Sequence, residues 1–212
     1  MAASELFRFY FSQCPLVAII RGVTPEEAVE IGDAIFAAGI RIIEVPLNSP
    51  DPIASIERLA ARFGDRALIG AGTVLEADEV GRIADAGGRL IVSPNTHLPV
   101  IEASVAAGLV SAPGFYTPSE AFAALRAGAH ALKFFPAEAA SPTVVKAMKA
   151  VLPPDVPLLV VGGVAPDNMA GWIEAGADGF GLGSGVYRPG QDAATVGRQA
   201  AAFVASVRSE AA

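Results

Sequence analysis

Apolar and polar positions along the chain fall into two alternating periods. Short alanine-rich stretches end in Gly and lead at once into an apolar run: "FAAGIRIIEVP", "ADAGGRLIVSP", "VAAGLVSAPG", "RAGAHALKFFP" and "EAGADGFGLG". Each reads as a helix end feeding a strand. Gly39, Gly87, Gly108, Gly128 and Gly176 suit the left-handed position that terminates a helix, where a side chain is strained. Between these points the spacing is helical. In "TPEEAVEIGDAIFAAG" Ala28, Ile31, Ile35 and Ala38 share one face, Thr24 can cap the start and Pro25 fits the first turn. The pattern predicts strands near residues 16–20, 42–45, 68–72, 90–93, 109–112, 131–134, 158–161 and 179–182, with a helix after each. Near-continuous apolar strands alternating with helices imply a parallel sheet covered on its outer face, and eight such units point to a (β/α)8 barrel. The segment "LFRFYF" ahead of the first strand is expected to form a short helix closing the N-terminal mouth.

The alternative architecture is an open doubly wound sheet, whose sign is G-x-G-x-x-G after the first strand. That position reads "AIIRGVTP", while "GAGTVL" at 70–75 and "GLGSGV" at 181–186 supply the first two glycines and lack the last. The dinucleotide fingerprint is therefore absent. No linker, low-complexity stretch or charge block divides the chain, so one domain over 1–212 is expected.

Composition narrows the partners. Hydrophobic residues make up 52% and charged residues 17%, yet no stretch reaches the length of about 18 apolar residues that spans a membrane. The start, "MAASELFRFYFSQCPLVAIIRG", carries Glu5 and Arg8 ahead of its apolar run and no small-residue cleavage site, so no signal peptide and a cytoplasmic protein are expected. Cys14 is the single cysteine, which rules out an internal disulfide, a dithiol pair and a zinc motif. The net charge of -7, without a Lys/Arg cluster, argues against nucleic acid as a partner. A bound phosphate must then be small and locally held. His97 and His130 are separated, with no spaced carboxylate, and offer no metal site.

The charges inside the strands carry the chemistry. In a barrel, alternate strand residues point inward and catalytic groups sit at the strands' C-terminal ends. Glu44 alternates with Ile42, Lys133 alternates with Ala131 and Phe135, Arg21 closes the first strand and Thr73 the third. These four polar groups converge on one end of one cavity. One reading of Glu44 and Lys133 is a buried ion pair that fixes register. The other is functional. A free lysine has a pKa near 10.4, and lowering it by ~3 units, about 4 kcal/mol, makes a nucleophile at neutral pH. Burial among Leu132, Phe134 and Phe135 supplies such a shift, whereas a close carboxylate opposes it. Glu44 is therefore expected nearby but not in a tight salt bridge. A lysine so tuned forms a Schiff base with a ketone, and Glu44 can shuttle the protons.

"LLVVGGVAP" and "GFGLGSGVYRPG" follow the seventh and eighth expected strands, where barrels usually hold phosphate. Gly162 and Gly163 let an oxyanion approach the main chain, and the Gly183-Ser184-Gly185 turn can present N–H groups and a hydroxyl. Either run alone is equally explained as a tight strand-to-helix turn; the pair, at both expected places, favours phosphate.

Together, "PLVAIIRGVTPEEA", "IIEVPLNSP", "LIGAGTVL", "LIVSPNTH", "ALKFFPAE", "VVGGVAPDN" and "GLGSGVYRPG" resemble the class I aldolases of 2-keto-3-deoxy-6-phosphogluconate and 2-keto-3-deoxy-6-phosphogalactonate. The resemblance implies a (β/α)8 barrel, usually a homotrimer. It implies cleavage of the phosphorylated keto acid into pyruvate and glyceraldehyde 3-phosphate with no metal or other cofactor. It makes Lys133 the Schiff-base lysine and Glu44 the general acid/base, with Thr73 at the pyruvyl end and Gly162, Gly163 and Ser184, in the turn opened by Gly183, at the phosphate. Gluconate-type members read E-V-T-L-R-T at the second strand, their arginine helping to bind the carboxylate; here the run is E-V-P-L-N-S, with Asn48 at that place. Arg21 is inferred to take over, since a guanidinium grips a carboxylate bidentately and an amide supplies no charge. "EVPLNSP" and "GLGSGVYR" look more like the galactonate type. The alternatives are the gluconate epimer, a phosphosugar isomerase or epimerase on the same barrel, and a non-catalytic phospholigand-binding barrel.

Overall fold

The computed structural model describes residues 1–209. Its strands are β1 (Leu16–Ile19), β2 (Ile42–Pro46), β3 (Leu68–Gly72), β4 (Leu90–Val92), β5 (Val110–Ala112), β6 (Gly114–Phe115), β7 (Leu132–Phe134), β8 (Leu158–Val161) and β9 (Gly179–Leu182). They form one sheet in the order β5-β4-β3-β2-β1-β9-β8-β7-β6, and every pairing is parallel. The two ends of that order are consecutive in the chain, separated by Pro113 alone. Proline has no N–H to give a ladder. The segment therefore pairs with β4 through its first part and with β7 through its second, and this single stretch brings the barrel round on itself. Nine strands thus stand where the periodicity gives eight, because the fifth runs past residue 112 and is interrupted.

Helices cover the outside. α1 (Ala3–Gln13) precedes the barrel; α2 (Pro25–Ala38), α3 (Pro52–Phe63), α4 (Glu79–Asp85), α5 (Leu98–Ala106), α6 (Pro118–Arg126), α7 (Pro142–Lys149), α8 (Met169–Glu174) and α9 (Ala193–Ser209) follow the strands. α2 shows why these segments are helical. Pro25 sits in its first turn, the Glu27 carboxylate accepts the Thr24 N–H at 3.2 Å and hydroxyl at 3.0 Å, and Gly39 ends the helix at φ 116°. Ala28, Ile31 and Ile35 are buried against the sheet.

Two apolar layers result. The outer one packs Ile43, Val45, Ile69, Phe134 and Val160 of the strands against Ile31, Ile35, Leu59 and Phe63 of the helices. The inner one fills the barrel with Val17, Ile19, Ile42, Leu68, Leu90, Val110, Leu159 and Val161. α1 closes the floor of that interior. Phe7 and Phe11 stack at 5.0 Å, and the Tyr10 hydroxyl donates to the Asp65 carbonyl at 2.7 Å. Phe11 reaches the start of β9 because Gly179 leaves space there for its ring. With the N-terminal end plugged by aromatic rings, the open end is the one where the strands finish.

Candidate active site

Glu44 and Lys133 point into the barrel from opposite sides. Glu44 pairs in register with Ile19 and Gly70, Lys133 with Gly114 and Leu159. They are 1% and 7% exposed and line the same interior space of about 20 Å³, walled otherwise by Val17, Leu90, Val92 and Phe7. No ion pair joins them; those among the described residues lie elsewhere, at the surface and between helices. Glu44 Oε2 is buried without a hydrogen-bond partner among the described residues. A side chain at Gly72 would occupy the position of the Glu44 carboxylate, so glycine at the end of β3 is what leaves room for it.

Burial sets the charge state of both groups. It pushes the Glu44 carboxyl up to about 7, against the pull of the Lys133 and Arg21 cations. It pushes the Lys133 amine down, with Glu44 opposing and Arg21 adding to the shift. Because the two are near but not ion-paired, desolvation outweighs attraction at each. Lys133 Nζ lies 5.0 Å from the centre of the Phe135 ring.

Arg21, just past β1, is exposed. Its Nη1 donates to Asn48 Oδ1 and, at 3.4 Å, to Thr73 Oγ1. The Gly22 N–H donates to Ser49 Oγ at 2.9 Å, which fastens the loop carrying Arg21 to the loop carrying Asn48. Thr73 has φ 55°, a left-handed conformation that is strained for a β-branched residue. In this conformation its hydroxyl lies within hydrogen-bond distance of Arg21.

Above Lys133 opens a cavity of about 440 Å³. Arg21, Thr73, Pro94, Lys133 and Phe135 line one side, and the loops after β8 and β9 line the other with Gly162, Gly163, Gly183, Ser184 and Gly185. Gly162 and Gly163 adopt φ 109° and 65°, and side chains there would strike Glu138. Asn168 braces this turn, donating to the Gly163 carbonyl at 2.9 Å and accepting the Ala165 N–H at 3.1 Å. Every residue expected from the sequence to act in catalysis or substrate binding lines this cavity except Glu44, which lies beneath it on the inner side of Lys133. His97 and His130 do not reach it. His130 instead accepts the Ser111 N–H on Nδ1 at 3.0 Å, and burial pushes its imidazole down.

Lining residues that the sequence did not single out include Glu138, Val161, Tyr187 and Arg188. A signal existed for two of them. Val161 ends the apolar run directly before Gly162, and Arg188 lies in the same glycine-rich run that holds Ser184. Glu138 comes from the 3₁₀ turn Ala137–Ala139, whose approach to Gly162 no local pattern reveals.

A lysine and a carboxyl group buried in one barrel, under a cavity with glycine turns, agree with a comparison across the chain. Residues 9–195 match the family described as "Aldolase: KDPG and KHG aldolase". The chain belongs to this aldolase family. It is 50% identical over 197 residues to the 2-dehydro-3-deoxy-6-phosphogalactonate aldolase of Escherichia coli (strain K12), covering 93% of this chain and 96% of that one. It is 32% identical over 161 residues to the KHG/KDPG aldolase of the same strain, covering 75% and 74%. Among solved structures, one described as "Native KDPGal structure" superposes with a TM-score of 0.92 at 49% identity, covering 94% of this chain and 97% of that chain. For a member of the KDPG and KHG aldolase family, the parallel barrel and the open C-terminal end are the expected frame.

Proposed function

We propose that this chain is a class I aldolase that cleaves 2-dehydro-3-deoxy-6-phosphogalactonate into pyruvate and D-glyceraldehyde 3-phosphate. The observation that carries the reading is Lys133, buried, lowered in basicity and unpaired, at the floor of the cavity with Glu44 beside it. The neutral amine attacks the C2 carbonyl, the carbinolamine loses water, and an iminium joins Lys133 to C2. The C3–C4 bond then breaks. Its electrons move into the iminium to give an enamine, while Glu44 takes the C4 hydroxyl proton, releasing the aldehyde. Glu44 returns that proton to C3, and water releases pyruvate. The interior space of about 20 Å³ is large enough for one water to relay these protons. Lys133 supplies the electron sink, so the proposed route uses no metal and no organic cofactor.

Arg21, held by Asn48, binds the substrate carboxylate, with Thr73 at the pyruvyl end; Gly162, Gly163, Gly183 and Ser184 bind the phosphate. Support for the galactonate epimer comes from 50% identity to the E. coli galactonate-type enzyme against 32% to the KHG/KDPG one. The gluconate epimer is the alternative substrate. Counting 110–115 as one stave, the nine strands support a (β/α)8 barrel formed by one domain. A homotrimer in the cytoplasm is proposed with it. No helix among the described residues is long and apolar enough to cross a membrane, and one similar solved chain comes from a cage "designed by fusing symmetric oligomeric domains".

Borohydride trapping with pyruvate tests the central step. A stable adduct on Lys133, located by peptide mass spectrometry, is expected, and Lys133→Arg is expected to lose both adduct and cleavage. Turnover retained in Lys133→Arg sinks the Schiff-base reading and favours an isomerase or epimerase. The ratio of kcat/KM for the two epimers then decides the substrate.

A further inference from the structure

We propose that Arg188 is a phosphate-binding residue of this site, the cation that makes its phosphate end attractive to a phosphate monoester. The proposal rests on the reading of the cavity as a phosphorylated keto acid site.

A phosphate monoester is largely a dianion at neutral pH. The protein that must attract it has a net charge of -7. Backbone N–H groups of glycine turns offer hydrogen bonds but little net charge, and in this cavity they stand beside a carboxylate. Glu138 packs against Gly162 and Gly163, the same turn that would receive the phosphate. Of the three cations lining the cavity, two are committed elsewhere: Lys133 lies buried on the floor, and Arg21 is bound to Asn48 and Thr73 on the opposite side. Arg188 is the third. Without it the phosphate end would present Glu138 alone, and a dianion would be repelled rather than drawn in.

Its geometry is that of a prepared clamp. Arg188 Nε donates to the Ser184 carbonyl at 3.0 Å, which ties the guanidinium to the Gly183-Ser184-Gly185 turn itself. The Gln191 side chain accepts the Arg188 N–H at 2.9 Å and the Arg188 carbonyl accepts the Gln191 N–H at 3.1 Å, so the backbone at this position is fixed on both sides. Neither Nη group donates to protein, and Arg188 has no carboxylate partner, among the described residues. Two N–H-bearing nitrogens are therefore left for phosphate oxygens, in the planar fork that recognises them.

Arg188→Gln and Arg188→Lys test the assignment through the phosphate, using the phosphorylated keto acid, its dephosphorylated counterpart and inorganic phosphate as a competitor. In Arg188→Gln the KM for the phosphorylated substrate is expected to rise about ten- to hundredfold, the size of a lost charge-assisted contact. The preference for the phosphorylated over the dephosphorylated substrate, in kcat/KM, should fall by a similar factor. Inhibition by inorganic phosphate should weaken with it, and Arg188→Lys should lie between. A preference that stays within about twofold of wild type in Arg188→Gln, or equal losses on both substrates, overturns the role. Should wild type cleave neither substrate and form no pyruvate adduct, the aldolase reading fails by itself. Calorimetric binding of inorganic phosphate to wild type and Arg188→Gln then still decides: weaker binding in the variant upholds Arg188, and equal binding removes it.

Discussion

Depth in the barrel is what separates the duties of Glu44 and Lys133. Lys133 faces both the cavity above and the small space below, whereas Glu44 reaches only the latter. A base in that position acts only as a carboxylate, and burial pushes its carboxyl up to about 7. Cleavage needs the carboxylate, so kcat/KM should rise with pH and level off above about pH 7, the apparent value belonging to the coupled pair. Glu44→Gln should lose this limb and about 10²- to 10⁴-fold of the rate. A wild-type profile that is flat across this range assigns the proton transfers to another group. Gly72 extends the same argument. A methyl group there falls on the Glu44 carboxylate, so Gly72→Ala should lower kcat by about a hundredfold through displacement of the base. An unchanged kcat in Gly72→Ala shows that the carboxylate works from a different position.

Among the elements, α1 is the one whose contribution can be isolated. Its Phe7 is 1% exposed and lines the interior beneath Glu44 and Lys133. Phe7→Ala should cost about 3–5 kcal/mol in denaturant unfolding, the usual price of a large buried ring. A loss below about 1 kcal/mol means that the helix docks without securing the barrel floor. How much of such elements was legible in the sequence follows from the range of the interaction concerned. The caps of α2 and the glycines after the helices are local, so Thr24, Pro25 and Gly39 announce them within a few residues. Glu44 and Lys133 also stood out, because a charge inside an apolar strand violates its own neighbourhood. The interruption at Pro113 was not legible: which strands flank 110–115 decides whether a missing N–H breaks one ladder into two. Glu138 against Gly162, and Arg21 against Asn48, are likewise contacts between loops that only closure of the barrel brings together.

For the whole molecule, the buried pair makes stability depend on pH in a direction that follows from the shifts. The folded state holds the Glu44 proton more tightly than the unfolded chain, whose carboxyl ionises near 4.5. The stability associated with protonated Glu44 is thus complete below that value, is lost as pH rises towards about 7, and levels off beyond. Lys133 runs the other way: its folded amine is depressed, so its contribution is present above the ordinary 10.5 and is lost as pH falls through the folded value. At neutral pH the fold therefore carries a strain from both groups. Glu44→Gln removes the first, and its stability relative to wild type should improve between about pH 5 and pH 8 by at most about 3 kcal/mol. The gain falls short of that limit because loss of the carboxylate drives the Lys133 amine further down. Comparison with wild type at each pH removes contributions common to both proteins, so the difference reads Glu44 together with its coupling to Lys133. A difference that does not move with pH means that burial does not hold the Glu44 proton, and desolvation would then not hold Lys133 in its nucleophilic form either.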